Sequence, residues 1–234
     1  MTLNLPSLAQ NVIDSYLKMR VNNKVIVCPY FTNIENARAG LRVFLGKATA
    51  KEIVDEVKFI AQKKQIDLNE ISEPELYKLM ADHNLGIDCS GLAVYITQAL
   101  YKEKKGINIL KKIKIASPWL NPWRYLVSKL RPVENISVRV LAKDKNSLKV
   151  KNFSEILPGD LIIQDNLRHI YIITEIEKEV DQIKKITYIH APRPKDKDYF
   201  GPGIKEQTIF LEKNNLEELA EKMNHEITIK RLNF

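Results

Sequence analysis

The hydrophobic period changes near the middle of the chain, and this change restricts the fold more than any other feature. In the first half, apolar residues recur every three or four positions, the period of a helix with one buried face. Residues 7 to 19 read as a short amphipathic helix with Leu8, Val12, Tyr16 and Leu17 on one side. Thr49 to Lys64 is a stronger one, carrying Ile53, Val54, Val57, Ile60 and Ala61 as its stripe. Glu73 to His83 is a third, with Ser72 and Glu75 spaced as a capping box. A fourth runs from Cys89 to about Lys104, with Cys89, Leu92, Ala93, Ile96 and Leu100 on one face. Val25-Ile26-Val27 is the one strand-like run before them, ending at Pro29-Tyr30. Residues 117 to 130, with Trp119 and Trp123 among prolines, read as a short helix and a covering loop.

From Ile136 onward β-branched residues dominate. Ile136, Val138 and Val140 alternate with Ser137, Arg139 and Leu141. Leu161 to Ile163, His169 to Ile176 and Ile183 to His190 are strand-like runs, separated by turn chemistry at Pro158-Gly159-Asp160 and Asp165-Asn166. A helix over about 214 to 223 and a strand over 226 to 230 close the chain. Helices first and strands second predict an α+β fold rather than alternating α/β. With no repeat and no linker, residues 1–234 are expected to form one domain, with a helical N-terminal elaboration over about 1–84.

Composition narrows the function classes. A chain of 234 residues, 44% apolar and 28% charged, can bury a full core without staples. Its two cysteines, Cys28 and Cys89, make neither a disulfide framework nor a CxxC metal pair. No apolar run is long enough for a membrane span. The N-terminus lacks the basic and apolar regions of a secretory signal, so a cytoplasmic location is expected. The formal net charge is +8, and Lys102, Lys104, Lys105, Lys111, Lys112 and Lys114 form the densest basic run. Such a run attracts nucleic acid, anionic lipid or acidic substrates. No recognition motif accompanies it, so a solvated lysine surface is the plainer reading and nucleic acid is not the expected partner.

Cys89 taken alone reads as a small buried hydrophobe on a helix face. Its place after Asp88 at a helix start gives it a second reading. Backbone N–H groups there lack intrahelical partners, and the helix dipole adds positive charge. Both favour a thiolate, so a lowered thiol pKa is expected, and the same N–H groups can hold an oxyanion. Gly91 allows close approach of another segment. Two histidines could serve such a thiol. His169 opens one predicted strand and His190 closes the next, before Ala191-Pro192-Arg193-Pro194. In an antiparallel pair those two ends are neighbours. His169 would then act as base and His190 as the group that orients it.

Three segments in this order resemble the NlpC-like cysteine peptidases, within the papain-like hydrolases. Asp88-Cys89-Ser90-Gly91-Leu92 resembles the nucleophile motif of that family. Pro158-Gly159-Asp160-Leu161-Ile162 followed by Arg168-His169-Ile170 resembles its strand pair with the base. Tyr188-Ile189-His190-Ala191 resembles the strand with the third polar residue. Together they span about residues 86 to 194. The resemblance implies a papain-like fold in which the nucleophile helix packs on a small antiparallel sheet. It also implies amide hydrolysis through a thioester, without a cofactor, on a small peptide or muropeptide, often at a D-glutamyl-γ-linked bond of peptidoglycan. Asp88, Ser90, Tyr30 and Arg168 are the expected substrate-binding residues. The chain departs from the family's pattern in three places. It has no Tyr-x-Trp-Gly-Gly stretch before the nucleophile, and Arg168 and Tyr171 stand where the family often has glycine.

Three other readings stand beside this one. The same residues would serve an acyltransferase or a thioester or lipid-amide hydrolase, with Trp119 to Tyr125 as an apolar lid. Cys89, His169 and His190 are also acceptable zinc ligands, though no fourth is evident. A degenerate, non-catalytic binding module is the third.

Overall fold

A computed structural model describes residues 1–31, 41–116, 119, 121–164, 166–180, 182–192 and 203–234. Asp165 of the second predicted turn, Arg193 and Pro194 beyond His190, and residues 117, 118 and 120 of the tryptophan segment lie outside the described residues.

The fold is α+β. Strand β1 (Thr2–Asn4) precedes helix α1 (Ser7–Leu17), and β2 (Met19–Val21) and β3 (Lys24–Ile26) form a small hairpin. A 3₁₀ turn at Arg42–Leu45 leads into α2 (Ala50–Lys63), α3 (Glu73–Asp82) and α4 (Cys89–Lys105). Short helices α5 (Ile109–Lys112), α6 (Pro122–Leu130), α7 (Pro132–Asn135) and α8 (Val138–Leu141) follow. The remainder is β4 (Ser147–Lys149), β5 (Leu161–Gln164), β6 (Ile170–Glu179), β7 (Gln182–His190), β8 (Lys205–Phe210), α9 (Leu216–Met223) and β9 (Ile227–Leu232).

Capping chemistry sets the helix starts. Thr49 and Glu52 exchange hydrogen bonds at the start of α2, and Ser72 and Glu75 do so at α3. Each pair satisfies two otherwise orphaned N–H groups. On α1 the buried positions are Ala9, Ile13 and Tyr16, whereas Leu8 is exposed. The stripe is thus rotated from the one expected, and α1 packs on α4.

The other strands make one sheet in the order β4-β9-β5-β6-β7-β8, with β1 added against β6. Every pairing is antiparallel. β5 pairs with the first residues of β6 and β1 with later ones, so the two share one edge of that strand. Alternation divides the apolar side chains between two layers. Leu161, Ile163, Ile170, Ile172 and Ile189 join the main core with α4, whereas Ile162, Tyr171, Ile173, Ile186 and Tyr188 join a second core with Leu219 of α9.

The alternating run at Ile136–Leu141 is not a strand. α7 ends at Asn135, and Val138–Leu141 forms one helical turn that buries Val138, Val140 and Leu141. Leu141 falls in the polar phase of the presumed alternation, and a helical turn buries it where a strand would expose it. The first strand after the helices is instead β4. The Pro158-Gly159-Asp160 turn forms as expected. Gly159 has φ +97, and a Cβ there would lie 2.2 Å from Leu100 Cδ2, so glycine is what lets the turn dock on α4. Buried Asp160 receives Arg231 of β9 through two 2.7 Å bonds. Among the described residues no helix is long and apolar enough to cross a membrane.

Candidate active site

Asp88 is the N-cap of α4, as its position predicts, and its Oδ1 accepts from the Gly91 N–H at 2.5 Å. The chain enters this helix through a narrow passage. Ile87 bridges to Tyr30 on one side and to Lys47 on the other, and the Asp88 N–H donates to the Gly46 carbonyl at 2.9 Å. The segment that Gly91 admits is this Gly46 turn. A Cβ on Gly91 would lie 2.7 Å from the Gly46 oxygen. Cys89 then sits at the first helical position, buried, with no carbonyl four residues back inside the helix for its N–H.

A lysine that the sequence reading passed over braces this passage. Lys47 is 6% exposed, and its ammonium has each donor engaged. It bonds both Asp88 oxygens at 2.9 Å, Ser90 Oγ at 2.5 Å and the Ile136 carbonyl at 3.0 Å. The polar atoms of Asp88 and Ser90, expected to meet substrate, are thus engaged in capping the helix and holding this ammonium. No pattern marks Lys47 in the sequence, where it is one basic residue among 37.

The two histidines meet as the strand-end argument predicts. In β6 and β7, Ile172 faces Ile189 and Ile173 faces Tyr188, which brings Tyr171 opposite His190. His169 Nε2 lies 2.9 Å from His190 Nδ1, and His190 Nε2 lies 2.9 Å from Gln207 Oε1 on β8. Gln207 gives the relay a direction. Its carbonyl oxygen accepts from His190 Nε2–H and, at 3.4 Å, from the Tyr188 hydroxyl. His190 Nδ1 therefore carries the lone pair and accepts from His169 Nε2–H. His169 Nδ1 is left as the basic nitrogen. The Tyr171 ring packs edge-on against His169 at 4.5 Å and tilted against His190 at 4.7 Å. Tyr171 thus forms an aromatic wall beside the two imidazoles. Gln207 escaped the sequence reading because β8 has few apolar residues and gave no strand signal.

Cys89 approaches this group without bonding to it. Its sulfur is flanked by the backbone N–H groups of Ser90 and of Ile170, the residue after His169. Ile170 and Ile172 join the core that contains Cys89, whereas Tyr171 and Tyr188 join the second core. The Ile170 amide, one residue after His169, is where the sulfur meets this strand. Among the described residues no hydrogen bond joins Cys89 to His169 at rest. Catalytic pairs often tighten only when substrate binds. Arg168 is exposed beside His169, and Tyr30 is half-buried beside the Ile87 passage.

Electrostatics correct one expectation. The Cys89 thiol is pushed up to about 12 rather than lowered. Burial is the largest cause and the Asp88 charge adds to it, outweighing Lys47 and the two flanking amides. Burial likewise pushes His169 down to about 3, helped by His190 and His225. His190 falls to about 4 through burial and Lys205, against the opposing pull of Gln207. All three groups are neutral at pH 7. Among the described residues no cluster of three or more His, Cys, Asp or Glu side chains could hold a metal ion.

The histidine shifts predict an acid limb of stability. An unfolded imidazole titrates near 6.5, whereas the folded ones stay neutral down to about 3 and 4. Between these values the unfolded chain binds more protons, so stability falls as pH drops from about 6.5 toward 4. Each group contributes a slope of up to about 1.4 kcal/mol per pH unit. Urea midpoints measured from pH 7 to 4 are expected to fall less steeply for His169→Asn/His190→Asn than for wild type. Equal slopes would show that these imidazoles do not titrate differently on folding.

Comparison of the chain with protein-family models, curated proteins and solved structures finds no match. The chemical reading therefore stands on the geometry. A buried thiol opens a helix, and a directed relay of two imidazoles and an amide ends one residue from the amide that flanks the sulfur. His169, at the end of that relay, is uncharged at pH 7.

Proposed function

We propose that the chain is a cysteine hydrolase of the NlpC-like, papain-like type, which cleaves an amide bond through a thioester intermediate. The observation that carries this reading is the directed hydrogen-bond chain from Gln207 through His190 to His169, set beside the residue that flanks the Cys89 sulfur. Cys89 opens α4, His169 directly precedes β6 and His190 ends β7, and Gln207 of β8 favours the His190 tautomer that leaves His169 Nδ1 unprotonated.

In the proposed reaction, Cys89 Sγ attacks the scissile carbonyl while His169 Nδ1 takes the thiol proton. Because the resting pair is neutral, proton transfer accompanies attack rather than preceding it. The Cys89 N–H donates to the oxyanion. The imidazolium then protonates the leaving amine, the C–N bond breaks and a thioester remains. Water, deprotonated by His169, then attacks the thioester carbonyl, the C–S bond breaks, the acid leaves and the imidazolium returns its proton to the Cys89 sulfur. A small peptide or muropeptide with a D-glutamyl-γ-linked bond is the proposed substrate class, with Arg168 and Tyr30 at the rim.

The test is a panel of D-glutamyl-γ-linked muropeptides, isopeptides and acyl thioesters, with Cys89→Ala as the control. Cleavage of the first class, with a trapped acyl adduct on Cys89 by intact mass, is the expected result. Hydrolysis that survives in Cys89→Ala overturns the reading. Turnover confined to acyl thioesters makes the chain an acyltransferase or thioesterase instead. Alkylation of Cys89 by iodoacetamide is expected to rise with pH without an inflection below about 8, since the thiolate is the reactive form. A plateau near neutral pH would mean a preformed ion pair and a different mechanism.

A further inference from the structure

The tryptophans lie far from any covering role. Trp119 is 94% exposed and Trp123 74%. Trp123, Leu126 and Leu130 stand three and four residues apart on α6, which places them on one helix face, and Leu126 and Leu130 are 48% and 74% exposed. Ser128, on the other side of the helix, is buried. Four large apolar side chains in one short stretch thus face water, which a soluble surface seldom tolerates without a partner.

Charge selects the partner. From Lys104 to Val133 the chain has eight basic residues and no acidic one. Arg131 among them pairs with Glu134 at 3.1 Å, whereas Lys104, Lys105, Lys111, Lys112, Lys114 and Lys129 are exposed. Lys129 lies on α6 itself, exposed between Leu126 and Leu130. Tryptophan and leucine on one face, flanked by lysine and arginine, is the composition of a helix lying in the headgroup layer of an anionic membrane. A protein partner would not call for this run of exposed lysines, and a nucleic acid would not call for the leucines. We infer that α6 and Trp119 form a docking surface for an anionic lipid bilayer, which holds the protein at the membrane face without crossing it.

Both tryptophans of the chain belong to this surface, so selectively excited tryptophan emission reports on it alone. The test uses the full chain with vesicles of phosphatidylcholine, with or without roughly a third phosphatidylserine, read by emission and by co-sedimentation. Emission is expected to shift to shorter wavelength with the anionic vesicles. Co-sedimentation should favour them by about tenfold or more at low salt and weaken as salt rises. Trp123→Ser/Leu126→Gln should lose most of the binding while melting like wild type, since both side chains are exposed. Cys89→Ala should bind as wild type does, which separates this surface from the proposed chemistry. Emission unmoved by vesicles overturns the inference, as does binding that is unchanged in the double variant. A shift that follows protein concentration without lipid assigns the face to a second copy, and one that follows duplex DNA assigns it to nucleic acid. Either result also overturns it.

Discussion

Lys47→Met is expected to destabilise the fold by about 3–5 kcal/mol, the range for removing one partner of a buried ion pair. The substitution roughly conserves volume, so packing is not what fails. Asp88 would keep its charge, largely shielded from water, with the Gly91 N–H and the Ser90 hydroxyl as its remaining donors. Ser90 Oγ and the Ile136 carbonyl would also lose their donor. Adding Asp88→Asn removes the stranded charge yet keeps a side chain that caps helices equally well. The double variant is therefore expected to regain more than half of the loss. Urea denaturation of the four proteins measures the coupling, and strictly additive losses would show that the pair does not act as a unit. Lys47 also pulls the Cys89 thiol downward, so its removal should slow alkylation of Cys89 further in any variant that still folds.

Removal of the proposed base is expected to have the larger effect on chemistry. His169→Ala should slow acylation of Cys89 by 4-nitrophenyl acetate by about 10²- to 10⁴-fold, the usual span for a positioned general base. Gln207 provides the finer test. Gln207→Leu leaves His190 Nε2–H without its acceptor, so His190 can adopt the other tautomer and present N–H to His169. A loss of about tenfold is expected, equivalent to about 1.4 kcal/mol in the barrier. Gln207→Glu keeps an acceptor at the same place and should retain most of the rate. It should also raise the apparent pKa of the histidine pair, which a merely structural role for Gln207 would not do. If Gln207→Leu and Gln207→Glu behave alike, the directed relay is wrong. If His169→Ala acylates at the wild-type rate, His169 is not the base.

Much of the frame is legible in the sequence because it rests on local rules. The capping pairs Thr49–Glu52 and Ser72–Glu75 are local, and so is Asp88 as the cap of α4. The facing ends of β6 and β7 follow from alternation and a short turn, which is why the His169–His190 contact was foreseeable. The run at Ile136–Leu141 misled because six residues are too few to separate a strand from a helical turn. β8 was missed because a largely exposed strand with Lys205, Glu206 and Gln207 carries little hydrophobic signal.

The tertiary structure decided the chemistry of Cys89. A helix N-terminus by itself predicts a lowered thiol pKa, and that prediction follows from the local sequence around Asp88 and Cys89. Burial reverses the sign, because removing a thiolate from water costs more than Lys47 and two amides return. Burial is a sum over every segment that covers a group, and no local pattern encodes it. The same holds for Lys47 and Gln207. One comes from a turn 41 residues before its partner and the other from a strand 17 residues after its own. The sequence by itself determined the elements, their caps and the pairing that joins two imidazoles. Long-range packing alone decided which polar groups hold them, which proton each carries and how far the thiol lies from its thiolate.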